Sequence, residues 1–116
     1  FFEKSKAIKQ LVENKSCIIF CKCSNYILKD YKNCINILIY SNDEERIKNI
    51  SDKLNLSLKD SKKFLKKQDK KLLSYYGYFT GENWDNKKCY DLFLNSSSLG
   101  IKNCVYILKS LYNSIN

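Results

Sequence analysis

The sequence contains no histidine, no proline and no methionine, three glycines, and a single arginine, Arg46, among 21 basic residues. Each shortage excludes something. Without histidine, no Ser/His/Asp or Cys/His relay can be assembled, and the commonest metal ligand is gone. Gly77, Gly81 and Gly100 stand alone, so no Gly-rich stretch opens a helix where backbone N–H groups could cradle a triphosphate. One arginine leaves little capacity for bidentate reading of phosphates or base edges. The missing methionine implies that the sequence does not begin at its own start codon, so the expectation is a processed chain or a piece of a longer one. No apolar run approaches the thickness of a bilayer, and the opening "FFEKSKAIKQ" is too charged for a signal peptide. The expected setting is the cytoplasm, with no membrane partner.

What is present reads as globular. A chain of 116 residues with 44% apolar and 28% charged residues can bury a core as one domain, 1–116. Six cysteines in a chain without signs of secretion read as small buried thiols rather than disulfides. Cys17, Cys21 and Cys23 share a parity, but one C-x-C without a second pair is a weak zinc signal, so no metal site is expected.

Apolar spacing predicts a helix over 2–14, with Ala7, Ile8, Leu11 and Val12 inward. The run "SCIIFC" (16–21) reads as a strand buried on both faces, and "CINILIYS" (34–41) as a second. Between them, "SNYILKD" reads as a short helix capped by Ser24 or Asn25. A helix over 41–55 opens with acids, and a longer one runs from Ser57 to about Tyr76, with Asp60 at the capping-box position. An aromatic loop precedes the last strand, "YDLFLN" (90–95). Gly100 leads into a final helix with Ile101, Val105, Leu108, Leu111 and Tyr112 on its apolar face. Strands alternating with helices, without polar alternation in the strands, argue an α/β fold: a parallel sheet with helices on both faces.

Several residues invite a chemical reading. Lys22 follows a strand end, where a cation can hold a substrate phosphate; the plain alternative is a loop lysine. Lysines 59, 62, 63, 66, 67, 70 and 71 recur at three and four, forming one basic stripe opposite Leu58, Leu65 and Leu72. That stripe faces either phosphates or simply water, with Asp69 placed to pair with a neighbouring lysine. Trp84 and tyrosines 75, 76, 78 and 90 suit stacking on a base or packing against the body. Glu82 and Asp91 are at no acid/base spacing.

Four segments together resemble the cytidylate kinase-like family: "CIIFCKCSNYIL" (17–28), "LIYSNDEERIKNI" (38–50), "DKKLLSYYGYFTGENWD" (69–85) and "YDLFLNSSSLGI" (90–101). "EKSKAIKQLVEN" (3–14) is similar to the helix before that family's third strand. The resemblance implies the P-loop nucleoside monophosphate kinase fold, with a lid region at about 46–85 and the first strand and phosphate loop missing. It implies a substrate-phosphate contact at Lys22, lid contacts to phosphoryl groups at Arg46, Asp69 and Lys70, and a base region at Asn95 and Ser96. ATP and magnesium are implied by the resemblance alone. The sequence departs from the family pattern with Cys21-Lys22 for Gly-Arg, Ser24-Asn25 for Ala-Asp, and Leu72 where an arginine follows the Asp-Lys pair.

The implied reaction is phosphoryl transfer from ATP to a nucleoside monophosphate, CMP, with this chain truncated or degenerate and inactive alone. The alternatives are a noncatalytic module binding nucleotide or a partner, and nonspecific nucleic-acid binding through the lysine stripe. The scarcity of arginine argues against sequence-specific nucleic-acid binding and makes nucleic acid the less expected partner, while the missing first strand argues for self-association or completion by an N-terminal segment.

Overall fold

A computed structural model describes residues 1–13, 15–83 and 86–115. Trp84 and Asp85 of the aromatic block, and Asn14 of the first helical segment, lie outside the described residues. The elements run α1 (Phe2–Val12), α2 (Ser24–Ile27), β1 (Ile37–Tyr40), α3 (Asp43–Leu54), α4 (Leu58–Thr80), a 3-10 turn (Lys87–Cys89), β2 (Leu92–Asn95), α5 (Ser96–Leu99) and α6 (Ile101–Ile115). The expected α/β character holds, with β1 and β2 pairing in a small parallel sheet. Two compact units divide the chain: Phe1–Ile37 with Leu73–Leu92, and Leu38–Leu72 with Phe93–Asn116.

In the first unit, α1 turns Ile8 inward onto Ile27 and Leu28, with Phe1, Val12, Ile19 and Cys34 packed around them. Each such aliphatic side chain contributes about 1.5–3 kcal/mol by leaving water. The segment 16–21 departs from expectation. It forms no strand among the described residues. Ile19 packs on the core, but Ile18 is 80% exposed and Phe20 fully so. Its backbone groups meet no neighbouring strand among the described residues, and a strand exists only through its ladder. Cys17 and Cys21 are therefore exposed rather than buried.

The turn out of this segment also differs. Cys23, not Ser24 or Asn25, precedes α2, and it does so at φ 65° while almost fully buried. A side chain in the left-handed region costs about 1–2 kcal/mol, which the burial of Cys23 and the α2 backbone bonds offset. Ser24 instead donates its hydroxyl back to the Cys21 carbonyl at 2.9 Å.

In the second unit, α3 begins with Asp43, Glu44 and Glu45, favourable at the positive end of the helix dipole. It ends on Asn55 at φ 55°, with Leu56 N–H donating to the Ser51 carbonyl. Ser57 Oγ accepts from Asp60 N–H at 3.1 Å and caps α4. Leu65, Leu94 and Cys104 are buried. On α6 the sheltered side runs through Cys104, Ile107, Leu108 and Leu111, so Ile101 and Val105, expected inward, stand exposed.

Helix α4 outlasts its expected end at about Tyr76 and carries Tyr78 and Phe79 as well, which are helical rather than part of a loop. It stops where Gly81 adopts φ 71° and donates to the Gly77 carbonyl at 2.8 Å. That left-handed cap suits glycine because no Cβ is strained by it.

Candidate functional site

In the first unit, the aromatic end of α4 gathers the candidate residues. Tyr76 is 3% exposed, and its hydroxyl accepts from Asn25 Nδ2 at 3.0 Å. Burial pushes the phenol well above its ordinary value, so it stays neutral. One residue earlier, Tyr75 lies against Phe79, which stacks on Phe1 with ring centres 4.6 Å apart. Lys22 Nζ sits 5.5 Å from the Tyr75 ring centre, and Lys4 Nζ from α1 sits 5.6 Å from the same centre. Two cations thus share one electron-rich ring, each held by about 0.5–1 kcal/mol. A cavity of about 290 Å³ opens nearby in this unit, lined by Asn25, Lys29, Tyr76, Glu82 and Lys88 among others.

The second unit holds its own candidate pair, Arg46 and Asp69. Arg46 Nη1 donates to Asp69 Oδ2 at 3.0 Å and Nη2 to Oδ1 at 2.6 Å, a planar two-toothed clasp. Nη1 also donates to Asp43 Oδ1 at 3.3 Å. The Asp69 hydrogen bonds lead in raising the Arg46 pKa above its ordinary value. Asp69 therefore pairs with Arg46, not with a lysine of the stripe, while Lys70 on the same helix stays exposed. Both partners are about one-third exposed, so the clasp is worth about 1 kcal/mol or less after screening.

At the carboxyl ends of the strands, Asn95 and Ser96 are engaged within the fold. Asn95 Oδ1 accepts from the N–H groups of Ser97 and Ser98, and its Nδ2 donates to Asn42 Oδ1 at 3.2 Å. Ser96 Oγ donates to the Tyr40 carbonyl at 3.1 Å. Ser97 Oγ accepts from Asn42 N–H at 2.9 Å and donates to Glu45. These bonds fix the two strand ends in register and leave a rim of carboxamides and hydroxyls.

The structure thus brings Arg46 and Asp69 together, and gathers Asn95 and Ser96 at one strand end. It sets Lys22 on Tyr75. Sequence reasoning missed Lys4, the Asn25–Tyr76 bond and the Ser97–Glu45 bond. Lys4 carries no signal beyond helical spacing, and the other two join residues 51 and 52 positions apart. Among the described residues, no three of His, Cys, Asp and Glu come close enough to hold a metal ion. These side chains therefore do not fit a protein-built magnesium site. Among them, too, no helix is long and apolar enough to cross a membrane.

Comparison with solved structures finds an uncharacterized protein from Eubacterium ventriosum with a TM-score of 0.87 at 18% identity, over 97% of this chain. The match spans 64% of that longer chain, so the present chain covers under two thirds of it. At such low identity the likeness establishes the fold alone. No curated protein matches the chain. A family model does, and its description carries the kinase-like relationship that the motifs implied: over residues 1–98, the chain belongs to the cytidylate kinase-like family.

Proposed function

We propose that the chain is the phosphoryl-handling part of a nucleoside monophosphate kinase of the P-loop type. Its reaction in a whole protein is ATP-dependent phosphoryl transfer to CMP. Alone it binds a nucleotide without turning it over. The observation that carries the reading is the Arg46–Asp69 clasp in a chain of a cytidylate kinase-like family. A guanidinium held flat by a carboxylate already has the geometry that a phosphate needs, and an arriving phosphoryl group exchanges with Asp69.

The chemistry of such transfer is positioning and charge neutralisation. Lys22 takes the acceptor phosphate as a point charge leaving the Tyr75 ring, and Arg46 with Lys70 meets the transferring group. Asn95 and Ser96 offer the polar rim for the base. The three glycines give no phosphate loop: Gly77 lies within α4, Gly81 caps it, and Gly100 joins α5 to α6. Magnesium finds no cage among the described side chains, and no step is assigned through it.

The test incubates the purified chain with ATP, magnesium and CMP and follows CDP by chromatography, with nucleotide binding measured by calorimetry. The expected result is binding without CDP. Measurable CDP sinks the claim of inactivity alone, and no heat with either nucleotide sinks the nucleotide reading. A second reading, a noncatalytic partner-binding module, draws on Ile18 and Phe20 standing in solvent. Its sign is a solution mass above that of one chain, unchanged by nucleotide.

A further inference from the structure

We propose that the outward face of α4 docks on the phosphate backbone of a nucleic-acid duplex, without regard to sequence. The surface lies within the second unit. All seven lysines between Lys59 and Lys71 are exposed, and among the described residues none forms an ion pair. Of the two acids on this stretch, Asp69 is clasped by Arg46, so Asp60, with Glu44 of α3 beside Lys59 and Lys62, faces seven positive charges. The buried side of the helix, with Ser61 and Leu65, fixes which way the stripe faces.

Length and charge density then choose the occupant. Lys59 to Lys71 spans about 18 Å of helix. A duplex presents one charge per about 1.7 Å of axis, so a straight rod of lysines and a line of phosphates are matched in reach. An anionic bilayer is the poorer fit. Interfacial helices insert a continuous apolar face beside their cations, and here Leu65 is 9% exposed and turned into the unit, so that Leu58 at the helix start and the partly exposed Phe64 form no continuous apolar stripe. Base reading is also disfavoured, because the one arginine is held by Asp69 and lysine is a weaker bidentate partner for guanine. The inference goes beyond the nucleotide reading, which uses Lys70 alone from this stripe.

The experiment titrates the whole chain against a fluorescent DNA duplex of about 24 base pairs at about 50 to 200 mM salt. The expected slope of log affinity against log salt is about −4 to −6, as five to seven displaced counterions require. Duplexes of different sequence should agree within about twofold. A variant carrying K59Q, K62Q, K63Q, K66Q and K67Q keeps helix propensity, so it folds, and circular dichroism verifies that. Its slope should fall to about −2 or shallower, with affinity at low salt reduced by about 100-fold or more.

Heats of CMP and ATP binding should be unchanged in that variant, which separates failure of this inference from failure of the nucleotide reading. Absence of duplex binding at low salt overturns the proposal. So does an unchanged slope in the variant. Tighter capture by vesicles of mixed neutral and anionic phospholipid than by the duplex overturns it as well, in favour of a membrane surface.

Discussion

The two units hold their expected phosphate-binding cations in opposite ways. In the first, Lys22 rests on the Tyr75 ring, where the attraction is weak and the charge is free to leave. In the second, Arg46 is locked to Asp69 by two short bonds and must exchange one anion for another. A ring and a carboxylate thus set two different thresholds for the same task. The first unit is also the apolar partner, built on Tyr76 and a ring stack, while the second closes its strand ends with Asn42, Asn95, Ser96 and Ser97.

The largest expected effect lies in that ring-built unit. Tyr76→Ala should cost about 3–5 kcal/mol, because it opens a cavity and strands the Asn25 amide. Guanidinium unfolding reads the loss; a change within about 1 kcal/mol would mean that the helix end frays and Tyr76 anchors nothing.

Alkaline pH should come next, and again in the first unit. Burial leads in raising Cys23, Cys34 and Cys89 above 9.0 and Tyr76 above 10.0. The native state therefore keeps protons that the unfolded chain releases. Their contribution is complete below pH 9 and is lost as pH rises through the folded values. Unfolding midpoints should fall beyond pH 9 and keep falling beyond pH 10, with Tyr76→Phe flattening the later part. An identical slope in that variant refutes the assignment to Tyr76.

Asp69→Asn should act on the second unit with about 1 kcal/mol of lost stability. It should also tighten CMP or ATP binding a few-fold by releasing Arg46. Weaker nucleotide binding would show that Asp69 presents Arg46 rather than restrains it. Smallest on stability is Lys22→Gln, within about 0.5 kcal/mol, since only a ring contact is lost. Its nucleotide affinity should nonetheless fall roughly tenfold. A stability loss larger than that of Asp69→Asn would reverse the contrast between the units.

Much of this arrangement was legible in the residues themselves. Helical spacing located α1, α3, α4 and α6, and the Ser57 cap and the apolar runs before Ser41 and Ser96 located a helix start and both strands. What failed did so for one physical reason: burial is decided by neighbours remote in sequence. "SCIIFC" has strand composition, but its ladder depends on a neighbour the segment cannot supply. The aromatics 75–79 have indifferent helix propensity, and the buried Tyr76 and the Phe1–Phe79 stack extend α4 through them. Gly81 was the readable signal for that later end. Ile101 and Val105 share their helix with Cys104, and only the packed structure decides which side turns inward. At the site, Arg46 and Asp69 were singled out separately, but their pairing joins positions 23 residues apart on two helices.

The exposed pair Ile18 and Phe20 has a consequence for how this chain survives in a cell. Two large apolar side chains exposed in a β-branched and aromatic run form the kind of patch that templates strand-to-strand aggregation. The nearest charges, Lys15 and Lys22, flank the run as gatekeepers and set a minimum distance between approaching copies. Selection on solubility thus acts on Lys15, and on Lys22 over and above its rest on the Tyr75 ring. Replacing either by an uncharged residue should lower the yield of recoverable protein without altering the folded structure.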